Sequence, residues 1–247
     1  MKIIISPAKQ MENDDSFSYK QLPQLLDKSK QIYAKLNSMT YEEQKALWGC
    51  NEALAEEAHH RLKRSLEDRP VQALSAYKGL QYIHMGSKLF TKEEWHYLCD
   101  SLRILSGLYG ILRPDDGIVP YRLEMQAKLD IDGTKNLYKF WNSAIAEVLF
   151  AEEACVLNLA SKEYSKAVEP YLKNYPNVKF VTCEFACGTE AKHKVKATEA
   201  KMARGSMVRW CAENKAQKPE DVKAFNVYGY VFCESQSDET HYLFLKK

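Results

Sequence analysis

Three consecutive isoleucines near the start of the chain give the first clear apolar pattern. Lys2 to Ser6 predicts a short buried strand, because β-branched residues favour extended backbone and the run has no polar face. Pro7 ends the strand and leaves Ala8 and Lys9 at its carboxyl end. Ligands of open α/β sheets bind at that end, so Lys9 is a candidate site residue.

Helical spacing of apolar residues follows over the next part of the chain. The predicted helices are residues 22–36, residues 40–49 behind a capping box of Thr40 and Glu43, residues 51–67 capped by Asn51, and residues 91–102 behind a second capping box of Thr91 and Glu94. This half of the chain is therefore expected to supply helices that cover one part of a sheet.

Strands and helices alternate in the second half. The predicted strands are residues 103–105, 154–159 and 178–185, and the predicted helices are residues 138–149, 161–172 and 198–214. Residues 225–233 and 242–246 predict a closing β-hairpin around residues 235–239. This order predicts a mixed α/β (α+β) fold in a single domain of residues 1–247, with a central mixed sheet wrapped by helices.

The segment from Ile104 to Met125, ILSGLYGILRPDDGIVPYRLEM, is rich in turn-forming residues. Gly107 and Gly110 stand three apart between bulky apolar residues. A turn of this kind can point several N–H groups outward together, toward a phosphate oxygen. The pattern predicts a glycine hairpin that approaches a ligand closely.

Two prolines stiffen the second part of the same segment. Pro114 and Pro120 restrict the backbone around Arg113 and the run that leads to Arg122. Arginine is well shaped for bidentate contact with phosphate, so both arginines are candidate phosphate ligands. The alternative is a corner packed under a sheet, in which Arg122 pairs with Glu124 or another acid.

Charge is nearly balanced over the whole chain, with 35 basic and 33 acidic residues among 247. This total charge does not indicate nucleic-acid binding, so evidence for such binding has to come from a local excess of basic residues. Between residues 192 and 209, six basic residues face one acidic residue: Lys192, Lys194, Lys196, Lys201, Arg204 and Arg209 against Glu199. The stretch predicts a phosphate-tracking surface, and its alternative is a solvated helix face.

Further basic residues are expected around a groove: Lys9, Lys78, Arg113, Arg122 and Lys128. A groove lined by lysine and arginine binds backbone phosphates without reading base sequence. We therefore expect weak sequence specificity in any DNA bound there.

Neither the cysteines nor the histidines form a metal pattern. The seven cysteines are scattered, and Cys183 with Cys187 lacks a second cluster that would complete a zinc site. We expect reduced thiols, no metal, no cofactor and a cytoplasmic location. No apolar window is long enough for a membrane span, so no membrane partner is expected, and we expect a monomer.

The segment from Ile104 to Met125 closely resembles the signature of the YaaA family of peroxide-stress proteins. Four other segments resemble the family in the same order: ISPAK at residues 5–9, LYKFW at 137–141, NLASKEYSKAV at 158–168 and AKMARGSMVRW at 200–210. Departures fall at residues 77–85, 126–128 and 183–196. The resemblance implies a bacterial cytosolic protein that binds double-stranded DNA through a helix-hairpin-helix element. It also implies a part in defence against hydrogen peroxide and a link to limiting free intracellular iron.

Two functions of different classes stay open. The first is a non-enzymatic DNA-binding stress protein. The second is an enzyme or binding protein for a nucleotide or nucleobase, with polar groups from Ser6, Lys9, Ser106, Tyr109, Tyr121, Arg122, Glu124, Asn158, Ser161 and Glu163.

In the second function, Tyr121 would stack a base, Glu124 would act as general acid or base, and Lys9 is a further weak catalytic candidate. The chain contains no Walker, G-x-S-x-G or zinc motif that would define a reaction. Direct iron sequestration is disfavoured, because paired Glu-x-x-His motifs and a cysteine cluster are missing. A broad positive cleft would favour DNA, and a closed pocket would favour a small ligand.

Overall fold

The computed structural model describes residues 1–152 and 154–246. The α-helices are α1 (Leu26–Asn37), α2 (Tyr41–Trp48), α3 (Glu52–Leu62), α4 (Ala73–Ala76), α5 (Leu80–Met85), α6 (Lys92–Ser101), α7 (Leu137–Trp141), α8 (Ala144–Glu152), α9 (Lys162–Ser165) and α10 (Ala197–Asn214). The strands are β1 (Lys2–Ile5), β2 (Gln10–Met11), β3 (Val71–Gln72), β4 (Tyr77–Lys78), β5 (Leu102–Ser106), β6 (Gly110–Leu112), β7 (Gly117–Ile118), β8 (Cys155–Asn158), β9 (Lys179–Thr189), β10 (Lys192–Lys194), β11 (Tyr230–Phe232) and β12 (His241–Lys246).

A mixed sheet forms the centre of the fold, as the sequence predicts. Within the described residues its strand order is β11-β12-β9-β8-β1-β5-β6, and β10 adds to β9. The strands from β12 to β5 run parallel, while β6, β10 and β11 pair antiparallel at the margins. The parallel strands therefore present their carboxyl ends along one edge of the sheet.

Strand β1 lies in the middle of this sheet and is covered on both faces. Ile3, Ile4 and Ile5 are 0% exposed. Parallel strands buried on both faces carry uninterrupted apolar runs, and the isoleucine triplet is such a run. Its pairing with β5 and β8 places Ser6 between the ends of two neighbouring strands.

Both predicted capping boxes are confirmed. Thr40 accepts the Glu43 N–H and the Glu43 carboxylate accepts the Thr40 N–H, and Thr91 and Glu94 repeat this arrangement. The helix capped by Asn51 ends at Leu62, earlier than predicted. Helix α1 likewise begins later than the apolar spacing indicates.

Two predicted helices are broken in the structure. Residues 138–149 form α7 and α8 with a break at Asn142, whose φ of 48° lies in the left-handed region. Residues 161–172 form α9 and then a 3-10 turn over Glu169–Asn174 that carries Pro170 in its first turn. Proline lacks the N–H that a continuous helix needs, so this break follows from local chemistry.

The predicted glycine hairpin is the turn of a β-hairpin. Gly107 and Gly110 lie in the tight connection between β5 and β6, and strands, not helices, flank it. Both glycines are buried. A Cβ on Gly107 would lie 2.6 Å from the Leu123 carbonyl oxygen, and the Trp141 Nε1–H donates to the Gly107 carbonyl at 3.0 Å. The glycines therefore allow close internal packing.

The closing hairpin is confirmed. β11 pairs antiparallel with β12, and β12 also pairs parallel with β9, so the end of the chain is built into the sheet. Cys183 and Cys187 are free thiols. Among the described helices, none has the length and apolar character to cross a membrane.

Candidate functional site

A partly enclosed cavity of about 340 Å³ lies where the carboxyl ends of β1 and β8 meet. Its walls are residues 6–10, residues 78–82, residues 121–124, Ser161, Glu163 and Tyr164, and Lys201 and Arg204 of α10. These segments are far apart in sequence, and the parallel sheet with α10 brings them together. We call this space the cavity.

Two serines join the strand ends at the base of the cavity. The Ser161 N–H donates to Ser6 Oγ at 2.8 Å, and the Ser6 hydroxyl donates to Ser161 Oγ at 3.2 Å. The Ser6 carbonyl accepts the Tyr82 hydroxyl at 3.0 Å. The turn after β1 is thus fixed to both the turn after β8 and helix α5.

A cluster of buried tyrosines stiffens one wall. The Tyr121 hydroxyl lies 2.6 Å from Ser106 Oγ and 2.9 Å from the Tyr77 hydroxyl, and burial raises the pKa of Tyr121 to about 12. Burial also raises the pKa of Tyr82 and of Tyr164. Tyr121 is only 5% exposed and its hydroxyl is already engaged, so it supports the wall and does not offer a free hydroxyl.

Glu124 lies between two cations at the cavity rim. Its Oε1 is 3.0 Å from Lys9 Nζ and 3.6 Å from a terminal nitrogen of Arg122. The sequence alternative that paired Arg122 with Glu124 is therefore confirmed. Arg122 Nε is buried and has no hydrogen-bond partner among the described residues.

Lys9 and Arg122 also line two open depressions outside the cavity. One depression extends to Arg61 and Lys78, and the other extends to Lys128. We call the cavity with these two depressions the cleft. Its enclosed part has five cationic side chains and two carboxylates, so positive charge is concentrated there.

The second carboxylate of the cavity, Glu163, is half-buried. Its Oε1 accepts the Gln126 N–H at 3.3 Å. Burial raises the pKa of Glu163, and the nearby Glu124 carboxylate raises it further. Among the polar groups expected in a nucleotide pocket, Ser106, Tyr109 and Asn158 lie outside the cavity lining, while the others line it.

Helix α10 closes the cavity opposite the strand ends. It crosses α5 so closely that a Cβ on Gly205 would lie 2.0 Å from the Gln81 carbonyl oxygen. The missing side chain at Gly205 therefore provides the space for α5. This crossing places Lys201 and Arg204 in the cavity wall.

Two predicted phosphate ligands have structural partners instead. Arg113 lies away from the cavity and pairs with Glu152 at 3.1 Å, beside Arg103. Arg209 donates to the Met85 and Gly86 carbonyls at 2.9 Å each and so closes the end of α5. Both guanidinium groups are thus engaged by groups of the chain itself outside the cavity, and phosphate binding by Arg113 and Arg209 stays a prediction.

The two glycines that were predicted to contact phosphate are buried. Gly107 and Gly110 are buried below Leu123 and Trp141, so their N–H groups do not lie at the surface. The backbone of this turn is also used internally, since the Tyr109 N–H donates to Ser106 Oγ at 2.9 Å. The segment from Ile104 to Met125 contributes to the site through its second part, residues 121–124.

The other predicted lysines are exposed. Lys78 and Lys201 line the cavity, Lys128 lines an outer depression, and Lys192, Lys194 and Lys196 lie on β10 and the turn that leads into α10. Lys192 and Lys194 point to the same side of their strand, as alternation requires.

The lining residues that the sequence-based set omits include Gln81, Tyr82 and Tyr164. Tyr164 follows the carboxyl end of β8, as Lys9 follows the carboxyl end of β1. Gln81 and Tyr82 carry no comparable signal, because their place depends on the crossing of α5 by α10. Among the described residues, no group of three or more His, Cys, Asp or Glu side chains is placed to hold a metal ion.

Comparison with known proteins identifies relatives over the full length of the chain. A protein named UPF0246 from Agathobacter rectalis is 43% identical over 249 residues, covering 100% of this chain and 99% of the relative. UPF0246 proteins from Ligilactobacillus salivarius and Limosilactobacillus reuteri are each 44% identical and cover at least 98% of both chains. The family described as peroxide stress protein YaaA matches residues 1–236. The chain belongs to the YaaA family of peroxide stress proteins.

Proposed function

We propose that the protein binds double-stranded DNA through the cleft, largely without sequence specificity, as part of the peroxide-stress response. One observation carries the proposal: Lys9, Lys78, Arg122, Lys201 and Arg204 surround a cavity that holds only two carboxylates. Cations gathered around a concave surface attract a polyanion and release its counterions on binding.

The outer part of the cleft supplies a path for a longer ligand. Lys128 extends the basic lining on one side, and Lys78 extends it on the other. Contacts of this kind reach phosphates and carry no base information, which supports binding without sequence preference. Membership of a peroxide-stress family supports a role in limiting peroxide-driven damage at the bound DNA.

Fluorescence anisotropy with a labelled duplex tests this function. We expect binding at low salt that weakens steeply as salt rises, with a slope of about −0.9 in log K against log salt for each phosphate contacted. The double variant Lys78→Gln, Lys128→Gln removes two exposed cleft cations and should lower the magnitude of that slope by about 2. Two unrelated duplex sequences should bind equally.

The matched control is the double variant Lys35→Gln, Lys173→Gln. Both lysines are exposed and lie outside the cleft, and the change in net charge is the same. Equal losses in the two double variants would show that only total charge matters and would contradict a specific cleft. Absence of binding at low salt would contradict the function itself.

A second function, binding of a nucleotide or nucleobase, is favoured by the enclosure of the cavity. Its volume of about 340 Å³ falls near the lower end of small-ligand pockets, about 300 to 1,000 Å³. A thermal-shift screen with nucleotides, nucleosides and bases tests this alternative, because a ligand that binds only the folded protein raises Tm. No stabilisation by any of them would count against it.

A further inference from the structure

Arg204 differs from the other half-buried arginines of the described chain. Arg61 pairs with Glu57, Arg113 with Glu152 and Arg209 with Glu94. Arg204 has no ion pair and no hydrogen bond to any described residue, and its Nε is fully buried. It lines the cavity on one side and a shallow groove beside Asn158 on the other.

A guanidinium in this position has an energetic cost that the Glu184 carboxylate, which forms no ion pair or hydrogen bond with it, offsets only in part. Burial disfavours its charged form, and accordingly the pKa of Arg204 is lowered by burial. Arginine nevertheless keeps its proton in proteins, so the site holds a positive charge with several unused donors. A buried charge is ordinarily paired, and the missing partner at this position is an anion.

Lys201 and Ser161 lie in the cavity wall with Arg204 and could bind the same anion. Lys201 stands one helical turn before Arg204, on the same side of α10, and is exposed at the cavity mouth. Ser161 accepts the Ser6 hydroxyl, and its own hydroxyl hydrogen has no acceptor among the described residues. Lys9 and Arg122, by contrast, are already offset by Glu124.

The cavity also limits the form of the anion. A phosphodiester within a strand is bonded to a nucleotide on each side, so a site that binds it must have room for both neighbours. A terminal phosphate monoester is bonded to a nucleotide on one side only. Lys201 and Arg204 form no ion pair with a described carboxylate, and two such cations match the double negative charge of a monoester better than the single charge of a diester. Arginine supplies the fork that suits phosphate oxygens.

We propose that Arg204, with Lys201 and Ser161, binds the terminal phosphate monoester of a nucleotide whose sugar and base occupy the rest of the cavity. This inference rests on the proposed function and names the part of the ligand that enters the cavity. The nucleotide has two possible sources, a free nucleoside monophosphate or the 5′-phosphorylated end of a DNA strand.

Three labelled duplexes of one sequence separate these sources in anisotropy titrations of the full chain. One carries 5′-phosphate ends, one carries 5′-hydroxyl ends, and one is a dumbbell closed at both ends. If the ligand is the 5′-phosphorylated end of a strand, we expect the phosphorylated duplex to bind about tenfold more tightly than the hydroxyl duplex. If the ligand is a free nucleotide, a nucleoside 5′-monophosphate should raise Tm and the nucleoside alone should not. The phosphorylated and hydroxyl duplexes should then bind with equal affinity.

Arg204→Gln tests the assignment, with Arg204→Lys as the conservative variant. Gln should abolish the phosphate preference or the nucleotide-dependent rise in Tm, and Lys should restore part of it. Because Arg204 is also one of the cleft cations, Arg204→Gln should weaken binding of the dumbbell and of the 5′-hydroxyl duplex to the same extent, so the preference for the phosphorylated end is the readout. The Tm of unliganded Arg204→Gln should equal or exceed that of wild type, because an unpartnered charge is removed.

The wild-type comparisons need no variant, so they decide the question even if Arg204→Gln folds poorly. Equal binding of phosphorylated and hydroxyl ends, together with no effect of the monophosphate on Tm, would overturn the proposal. Loss of dumbbell binding in the wild type would instead show that the DNA-binding function is wrong. Lys173→Gln, an exposed residue outside the cavity, is the control for both readouts.

Discussion

Asp116 shows how one residue can set the pH dependence of the fold. Its carboxylate is 1% exposed, Oδ2 accepts the Arg113 N–H at 2.8 Å, and Oδ1 has no partner among the described residues. Burial raises the pKa of Asp116 to about 6, above its ordinary value near 4. The folded protein therefore holds this proton more tightly than the unfolded chain does.

The variant Asp116→Asn should be more stable than wild type at neutral pH. Because the folded-state pKa is raised, Asp116 favours folding less as pH increases from about 4 to about 6, and its destabilising effect is complete above about 6. A shift of about two pH units corresponds to about 3 kcal/mol, so a gain of about 2 kcal/mol is expected at pH 7, falling to near zero at pH 4. Urea unfolding of both proteins across this range measures it.

Asp68→Asn provides the control for that series, since Asp68 is exposed. Its difference from wild type should stay small at every pH. A stability difference for Asp116→Asn that is the same at pH 4 and pH 7 would contradict the raised pKa.

Individual residues also show where sequence reasoning ends. Arg113 precedes Pro114, and Arg122 lies two residues after Pro120 in the same short segment. Both arginines were therefore expected to bind phosphate. The structure pairs Arg113 with Glu152, far along the chain, and leaves Arg122 at the cavity beside Glu124. Pairing with a distant acid depends on tertiary position, so local spacing cannot distinguish these two arginines.

At the scale of elements, the crossing of α5 and α10 determines the shape of the cavity. Gly205 has no side chain at the contact, and a Cβ there would meet the Gln81 carbonyl oxygen at 2.0 Å. Gln81 and Tyr82 of α5 face the cavity, so any displacement of α5 changes the wall as well as the core.

The variant Gly205→Ala should reverse the usual effect of this substitution. In an exposed helix, Gly to Ala stabilises by about 1 kcal/mol. At this crossing the added methyl group forces the helices apart, and we expect a loss of roughly 2 to 3 kcal/mol with a fall in Tm of about 5 to 10 °C. Differential scanning calorimetry measures both.

Glu213→Ala, on the exposed side of the same helix, is the matched control and should change stability by about 0.5 kcal/mol or less. A Gly205→Ala protein more stable than wild type would show that a methyl group fits between α5 and α10, and would contradict the close crossing. Weakened ligand binding in Gly205→Ala, measured below its Tm, would link the crossing to the cavity.

Sequence predicted elements best where the signal is local. The capping boxes at Thr40 and Thr91 are completed by side chains three residues away, so both were found. The break at Asn142, where φ is 48°, interrupts a run with continuous helical spacing and was not predicted. Element order and the mixed sheet were predictable from periodicity, and helix ends set by packing were not.

For the whole molecule, the parallel order of β5, β1 and β8 explains why a site forms at all. Their carboxyl ends lie side by side, which brings Ser6 next to Ser161. Lys9 was predictable as a site residue because it follows β1 directly. The meeting with α10 was not, since no local pattern specifies where a helix late in the chain will dock.

The same helix connects the cavity to a second basic surface. Lys192 and Lys194 lie on β10, Lys196 precedes α10, and Lys201 follows at the cavity mouth. We call the first three the β10 lysines. If DNA occupies the cleft, a duplex that extends past the cavity along this path adds phosphate contacts at the β10 lysines.

The triple variant Lys192→Gln, Lys194→Gln, Lys196→Gln separates the two surfaces. We expect weaker duplex binding and a salt slope reduced in magnitude by up to about 3, because each lost phosphate contact contributes about 0.9. Any ligand held wholly within the cavity should bind as in wild type, since these lysines do not line it. Anisotropy at several salt concentrations and thermal shift with a nucleoside monophosphate give the two readouts.

An unchanged duplex affinity and salt slope in the triple variant would restrict the DNA contact to the cleft. Equal weakening of duplex and nucleotide binding would indicate a general effect of net charge.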